Sequence, residues 1–477
     1  LGFAECFRLV ALNWIDVTNG PMGITAVPPP ARWFVGYVPY FYFILLLVVL
    51  TLFGLYRMEH STIGRAMQAI RQNELLAGSV GISGFRYMML AALLASFIMG
   101  LAGSFYAHFF QFLGPEILAF DLTIAIVVMV VAGGRATLMG PVLGAIVFTV
   151  LPEVLRVVQV WRMAIFGLLL MLMMLFMPEG IWPALQLLAR RCFERVTGRR
   201  TPAVVPSSLG SPFEGFAADG SRPPVPARVE HGVAPTDRSQ TVLTVERLCV
   251  HFGGVQAVHM VDFDVKAGEI LSIIGPNGAG KTTILNAITR VGPITAGEIS
   301  HQDALLNGLR SYEVARHGIG RTFQHTSLFP DVSTRQNLVL AHNGLEPESL
   351  HLNLLRTDAS VQAAQDAEVA ADRILERTRL VPYGASLARS LPYGHQRVLE
   401  LGIALAARPS LLLLDEPAAG LNPAEVSDLM ALIQQIRHEG VTVVLVEHDM
   451  KLVMSVSDRV VVLDHGRKIA EGRPEEI

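Results

Sequence analysis

The sequence predicts a multidomain chain in which an α-helical transmembrane bundle is followed by an α/β domain of the P-loop type. Three observations carry this. Long stretches of residues 1–185 hold no charged side chain. The stretch GPNGAGKTT (275–283) follows an apolar strand pattern and opens a helical one. Between them, residues 198–240 are rich in Pro, Gly, Ser and Ala and poor in large apolar residues.

Composition gives the same division. The 477 residues are 51% apolar and 17% charged, whereas a soluble domain carries about 25% charge. The apolar excess lies in the first part. The expected boundaries are a partial transmembrane domain at 1–185, a basic and then Pro/Gly/Ser-rich cytoplasmic linker at 186–240, and a soluble α/β domain at 241–477. A net charge of −3 speaks against a nucleic-acid partner, which calls for a basic face. Cys6, Cys192 and Cys249 are far apart and lack metal-type spacing, so they read as inert thiols of a reducing compartment. The chain begins with Leu1 in an already apolar stretch. It reads as starting inside a membrane segment, with no signal peptide, and its last residues read as cut short.

Each element of the first part has its own reason. Trp33 to Tyr56 has no Asp, Glu, Lys or Arg, and as a helix rising ~1.5 Å per residue it spans the ~30 Å hydrocarbon layer. Trp33, Phe34, Tyr37, Tyr40 and Tyr42 form an expected interfacial aromatic belt. Tyr87 to Pro115 is a second uncharged run, with Ala91, Ala95, Gly100 and Gly103 suited to close helix packing. Residues 117–152 are too long for one span, and GGRATLMGP (133–141) splits them into two short spans or a re-entrant pair. Met163 to Pro178 is the last expected span. Arg57, Arg65, Arg71 and Arg86 lie in one loop, and Arg190, Arg191, Arg195, Arg199 and Arg200 follow the last span. Both sets belong inside by the positive-inside rule, leaving the proline-rich segment 19–31 outside. Within the first loop, residues 61–83 alternate at helical spacing up to Gly81. That is an amphipathic segment for a lipid surface or for docking on the α/β domain that follows. The linker cannot bury enough surface to fold and reads as a tether.

The second part reads as a nucleotide site. TVLTVERLCVHF (241–252) alternates like a strand. GPNGAGKTT has the strand–loop–helix context its motif requires. Gly275, Gly278 and Gly280 let backbone N–H groups wrap phosphates, with Asn277 and Thr283 in the same loop. Lys281 reaches the β- and γ-phosphates of ATP, and the Thr282 hydroxyl ligates Mg²⁺. LLLLDEP (411–417) is a buried-type strand ending in Asp415, on the Mg²⁺ side, and Glu416, placed to orient the attacking water. VTVVLVEHD (441–449) is another, with His448 at the carboxyl end where ligands of open sheets sit, read as a γ-phosphate sensor.

The order P-loop, RTFQ (321–324), LPYGHQR (391–397), LLLLDEP and His448 resembles the ABC-type ATPase over 242–477. The resemblance implies that Phe252 stacks on adenine and that Gln324 senses Mg²⁺ and the membrane domain. It implies that AAGLNP (418–423) faces a partner ATPase. It places Pro392, Tyr393, Gly394 and His395 in the signature that contacts the opposite subunit's ATP. GIGRTFQ, DEPAAGLNP and VEHDM are similar to the first ATPase of branched-chain amino acid importers. STIGRAMQAIRQNE, GGRATLMGPVLGA and FMPEGIW are similar to their M-type permease, without its first helices. The expected protein is a permease–ATPase fusion in a bacterial inner membrane, multi-pass, with a cytoplasmic ATPase. Expected partners are a second permease, a second ATPase, a periplasmic solute-binding protein, membrane lipid and a small-molecule solute.

One departure stands out. Pro392 occupies a position where the family usually carries Ser or Ala, and it has neither hydroxyl nor N–H to offer a phosphate. It suits the first turn of the following helix. His395 replaces the usual Gln. The composite site using this signature is therefore expected to be weakened, while the site using this chain's own P-loop and Glu416 stays competent. The alternatives are a urea or short-amide importer, an ATP-binding regulatory paralogue with weak hydrolysis, a non-transport ABC protein, and an exporter.

Overall fold

A computed structural model describes residues 2–32, 34, 36–154, 167–168, 171–172, 175–177, 179–197, 240–344 and 358–477. Most of the expected span Met163 to Pro178, nearly all of the linker, and Trp33, Arg199 and Arg200 lie outside the described residues, as do the side chains of Arg190, Arg191 and Arg195. The chain divides into two compact units, Leu1–Glu59 with Ala91–Ala203, and His60–Leu90 with Val204–Ile477. The second unit therefore takes in the loop between the first two expected spans, which the sequence boundaries assign to the membrane part.

Among the described residues, the α-helices of six or more residues in the first 200 are α1 (Gly2–Asn13), α2 (Tyr37–Glu59), α3 (Thr62–Gln72), α4 (Glu74–Ser79), α5 (Gly84–Phe110), α6 (Phe120–Gly134), α7 (Gly140–Val154) and α8 (Ile181–Thr197). Helices α2 and α5 are each long and apolar enough to cross a membrane. The aromatic belt is only partly as expected. Tyr37 and Tyr42 are exposed, but Phe34 and Tyr40 are buried in protein. The Tyr40 hydroxyl donates to the His108 carbonyl at 3.2 Å, and its ring meets Phe109 edge-on at 5.5 Å.

Helices α6 and α7 are the two pieces expected of residues 117–152. Thr137 makes their turn: its hydroxyl donates to the Gly134 carbonyl at 2.9 Å and accepts the Gly140 amide at 3.1 Å. The backbones then approach so closely that a Cβ on Gly144 would overlap the Met129 carbonyl, and one on Gly133 the Gly140 carbonyl. In α5, Gly100 and Gly103 face open space among the described residues. The close approach is made by glycines of another hairpin. Gly144→Leu is expected to force α6 and α7 apart and cost at least the ~1–3 kcal/mol of an overpacked core. The check is the thermal midpoint of the detergent-purified protein, with Gly100→Leu as a control that leaves it unchanged.

In the second unit, a four-stranded antiparallel sheet lies beside a six-stranded, mostly parallel one. The elements are β1 (Thr241–Phe252), β2 (Val255–Lys266), β3 (Ile270–Ile274), α9 (Lys281–Ile288), β4 (Ala296–His301), β5 (Ala304–Leu305), α10 (Ser311–Arg316), β6 (Ile319–Arg321), α11 (Thr334–Asn343), α12 (Asp358–Arg377), α13 (Tyr393–Ala406), β7 (Leu411–Asp415), α14 (Pro423–His438), β8 (Thr442–Val446), α15 (Met450–Val456), β9 (Arg459–Asp464) and β10 (Arg467–Gly472). The antiparallel order is β2-β1-β4-β5 and the parallel-sheet order β10-β9-β3-β8-β7-β6. Strands β3, β7 and β8 are buried along their whole length, because both faces of a parallel sheet are covered; hence their unbroken apolar runs. Their carboxyl ends lie side by side, with Val446 opposite both Asp415 and Ile273.

The segment 61–83 folds onto this unit. It is two helices, not one. The Ser61 hydroxyl caps α3 by accepting the Gly64 amide, and the Asn73 side chain caps α4 by accepting the Leu76 amide at 3.0 Å. A cap in mid-segment ends one helix and starts the next. Ile63, Ala66, Ala69, Leu76, Ala77 and Val80 are buried, with α3 against α11 and α4 against α10. The Gln72 side chain accepts the Asp331 amide at 3.0 Å. The guanidinium of Arg86 lies 5.9 Å from the Tyr312 ring centre, and that of Arg310 lies 6.0 Å from Phe85. Of the two expectations for this segment, docking on the α/β domain is the one observed.

Candidate active site

The site sits at the carboxyl end of the parallel sheet. Strand β3 delivers the chain to the P-loop, and Gly280, in a left-handed conformation (φ 96°), turns it into α9. A Cβ at Gly280 would stand 2.7 Å from the Ala257 carbonyl oxygen, so neither the conformation nor the space admits another residue. Lys281 is buried. Its ammonium donates to the carbonyls of Gly275 at 2.7 Å and Pro276 at 2.9 Å, inside the loop it would neutralise. Burial lowers its pKa, and the nearby Glu416 and Asp415 pull it back up. Asn277 and Gly278 are exposed at the tip, and Thr282 and Thr283 are half-buried at the first turn of α9.

Asp415 closes β7 and is fully buried. One carboxylate oxygen meets the Arg321 guanidinium at 3.2 Å, and the other accepts the Thr282 hydroxyl at 3.3 Å. Burial raises the Asp415 pKa against the pull of Arg321, and lowers that of Arg321. Arg321 is held in turn by the Thr289 hydroxyl at 2.9 Å. Among the described residues no group of three or more His, Cys, Asp or Glu side chains gathers as a metal cage. The hydroxyl and carboxylate oxygens of Thr282 and Asp415 fit magnesium, which takes one or two protein oxygens and completes its shell with phosphate and water.

Glu416 follows directly in a left-handed conformation (φ 49°), uncommon for a residue with a side chain. Its amide donates to the Val446 carbonyl at 2.9 Å, which ties the turn to the end of β8. The side chain is reached from both sides. One oxygen lies 2.8 Å from His448 Nε2, and the other accepts the Gln324 amide at 3.4 Å. Two residues from two separate motifs thus converge on the carboxylate of a third.

The rest of the expected set is spread wider. Phe252, at the end of β1, is half-exposed. Pro392 is the N-cap of α13, without a side-chain bond, not a residue of its first turn. Tyr393 is exposed, and its hydroxyl donates to the Ala419 carbonyl at 3.1 Å. Gly394 is buried. His395 is corrected most: it is 2% exposed, packed edge-on against Tyr383 at 4.5 Å, so its ring faces this domain's interior and not an opposite subunit. Burial lowers its pKa.

Residues 258–419 match the family model described as ABC transporter, and residues 1–178 match "Branched-chain amino acid transport system / permease component". Over 240 residues the chain is 43% identical to the high-affinity branched-chain amino acid transport ATP-binding protein LivG of Salmonella typhimurium, covering half of this chain and 94% of that protein. The chain belongs to the ABC transporter family. The corresponding protein BraF of Pseudomonas aeruginosa is 42% identical over the same proportions. A solved nucleotide-free ATP-binding cassette from an ABC transporter is 29% identical, with a TM-score of 0.43 over 50% of this chain and 93% of that one. The second half of this ABC transporter chain is an ATP hydrolase coupled to transport, and the first half is a membrane-associated permease domain.

Sequence reasoning about this ABC transporter missed four side chains. Arg321 lay inside a quoted motif but was given no role. Glu447 is buried and accepts the amides of Ala418 at 2.9 Å and His448 at 3.2 Å, fixing the two loops that carry Glu416 and His448. Arg397 and Glu400 form a buried pair on α13. A charge inside an otherwise apolar helix was the available signal. Burial pushes the Glu400 carboxyl up to about 7, further than the Phe323 amide and Arg397 pull it down. Between its ordinary value of 4.5 and about 7, the folded state keeps a proton that the unfolded chain has released. The stability from this group is therefore full below the lower value and lost as pH rises through the upper one. Glu400→Gln is expected to flatten that slope, read from denaturant midpoints across the window.

Proposed function

We propose that this chain is the fused permease and ATP-binding subunit of an ATP-driven importer of branched-chain amino acids. The observation that carries it is the docking of residues 61–83, which lead into the membrane-length helix α5, onto the domain that holds the P-loop. The names of the LivG and BraF relatives and of the permease family support the substrate class.

In this reading Phe252 stacks on adenine, and the loop around Gly275, Asn277, Gly278, Gly280 and Thr283 wraps the phosphates. Lys281 neutralises the β- and γ-phosphates. Thr282, Asp415 and Gln324 hold Mg²⁺, which supplies charge neutralisation on the phosphates when bound. Glu416 orients the attacking water, and His448, hydrogen-bonded to Glu416, senses the γ-phosphate. Two ATPases close around two ATP molecules, and the docked segment carries that movement into the permease. A second ATPase, a second permease and a periplasmic binding protein complete the assembly in a bacterial inner membrane.

The assembled complex in proteoliposomes, given ATP inside and binding protein outside, is expected to take up leucine. Uptake of urea or short amides in its place would reassign the solute, and ATP binding without uptake or turnover would favour a regulatory paralogue. The composite site that uses Pro392 is expected to be the weaker of two. Trapped-nucleotide occupancy near one per complex supports this, and equal fast hydrolysis at both sites refutes it.

A further inference from the structure

The hydrogen bonds around Glu416 continue into residues that touch neither the P-loop nor Glu416 itself. Arg397 is buried on α13. Its guanidinium donates to the carbonyls of Gln324 at 2.8 Å and Phe323 at 3.2 Å, to the Glu400 carboxylate at 3.1 Å and to the Tyr393 hydroxyl at 3.1 Å. Glu400 accepts the Phe323 amide at 2.8 Å. One ion pair therefore holds both main-chain groups of Phe323 and the carbonyl of Gln324. The Tyr393 hydroxyl in turn donates a hydrogen bond to the Ala419 carbonyl, on the loop that Glu416 opens. The path is closed: Glu416, the Gln324 side chain, the main chain at 323–324, Arg397, Tyr393, Ala419, and along the chain back to Glu416.

The pair is poorly explained as a stabiliser. Its side chains are 4% and 2% exposed, and a buried ion pair seldom outperforms apolar residues of the same volume. What it supplies is placement, since each donor and acceptor has a directed partner. We infer that Arg397 and Glu400 are positioning residues for ATP hydrolysis, clamping the main chain at 323–324 so that Gln324 and Glu416 stand at their working separation. This rests on Gln324 and Glu416 serving hydrolysis, as proposed above.

The test is a double-mutant cycle on the assembled transporter, with kcat and KM for ATP as readouts. Arg397→Met is expected to lower kcat ~10–100-fold while KM stays within about twofold, because the ATP-binding loop is untouched. Arg397→Lys recovers part of the loss. On a Gln324→Ala background, Arg397→Met adds less than about twofold, because coupled residues are not additive. Where Arg397→Met does not fold, Glu400→Gln, which keeps the side chain's size, takes its place in the same cycle. A folded Arg397→Met with wild-type kcat, or losses that multiply with Gln324→Ala, overturns the inference. Glu416→Gln is run in parallel. If it abolishes turnover and the Arg397 and Glu400 variants do not lower it, the positioning role alone fails. If it leaves turnover intact, the reading of the site fails with it.

Discussion

Glu416→Gln is expected to reduce ATP turnover of the assembled transporter by ~10²–10⁴-fold, the usual worth of a positioned acid–base group, and to abolish uptake. The amide keeps the size of the side chain. His448 and Gln324 bond different oxygens of Glu416, at 2.8 and 3.4 Å, and the amide keeps only one of the two, with no charge and no basic oxygen for water. The P-loop is unaltered, so ATP should still bind and should accumulate in place of ADP. Single-turnover assays with bound nucleotide read this directly. A regulatory paralogue would show no change on this substitution, so a variant indistinguishable from wild type would end the hydrolytic reading of the site.

The second large effect is expected away from the chemistry. Gly81 has φ 92°, and a Cβ there would lie 2.5 Å from the Gly344 carbonyl oxygen. Gly344 answers in kind, since a Cβ on it would overlap the Val80 carbonyl. Two main chains touch with no side chain between them. Valine at 81 meets both a conformation it strongly disfavours, ~1–3 kcal/mol, and a carbonyl that cannot move aside. Loss of a docking contact of that size lowers uptake about tenfold or more, whereas ATP affinity stays within about twofold, because the neighbours of Gly81 are Gly344 and Arg316 and not residues of the P-loop. Leu75→Ala, at an exposed position of α4, is the matched control. Uptake by Gly81→Val equal to that of Leu75→Ala would show that docking of this segment does not carry the coupling.

The legible parts of this molecule were those written in contiguous residues. The P-loop declared itself because a phosphate cradle needs glycines, a lysine and a hydroxyl at fixed spacing. Strands β3, β7 and β8 were readable because a doubly covered parallel strand has no polar face to show. Residues 61–83 showed an amphipathic face at helical spacing, which hides the break at Asn73; the Asn73 side chain takes the Leu76 amide and makes it a cap. Gly100 and Gly103 of α5 matched a packing motif yet face open space among the described residues, while Gly144 meets the Met129 backbone. Small size permits close approach and does not compel it.

Residue chemistry and spacing alone therefore settled that apolar helices precede a P-loop domain, that Lys281 closes the phosphate loop at the start of a helix, and that Asp415, Glu416 and His448 sit at strand ends. The tertiary structure decided which side chains share a contact. Gln324, Glu416 and His448 meet because β7 and β8 are neighbours in register and the chain at 323–324 is clamped by α13. His395 turns inward because the helix that carries it packs against Tyr383. Such contacts join residues tens of positions apart, and the distance between them is set by packing, which no local pattern encodes.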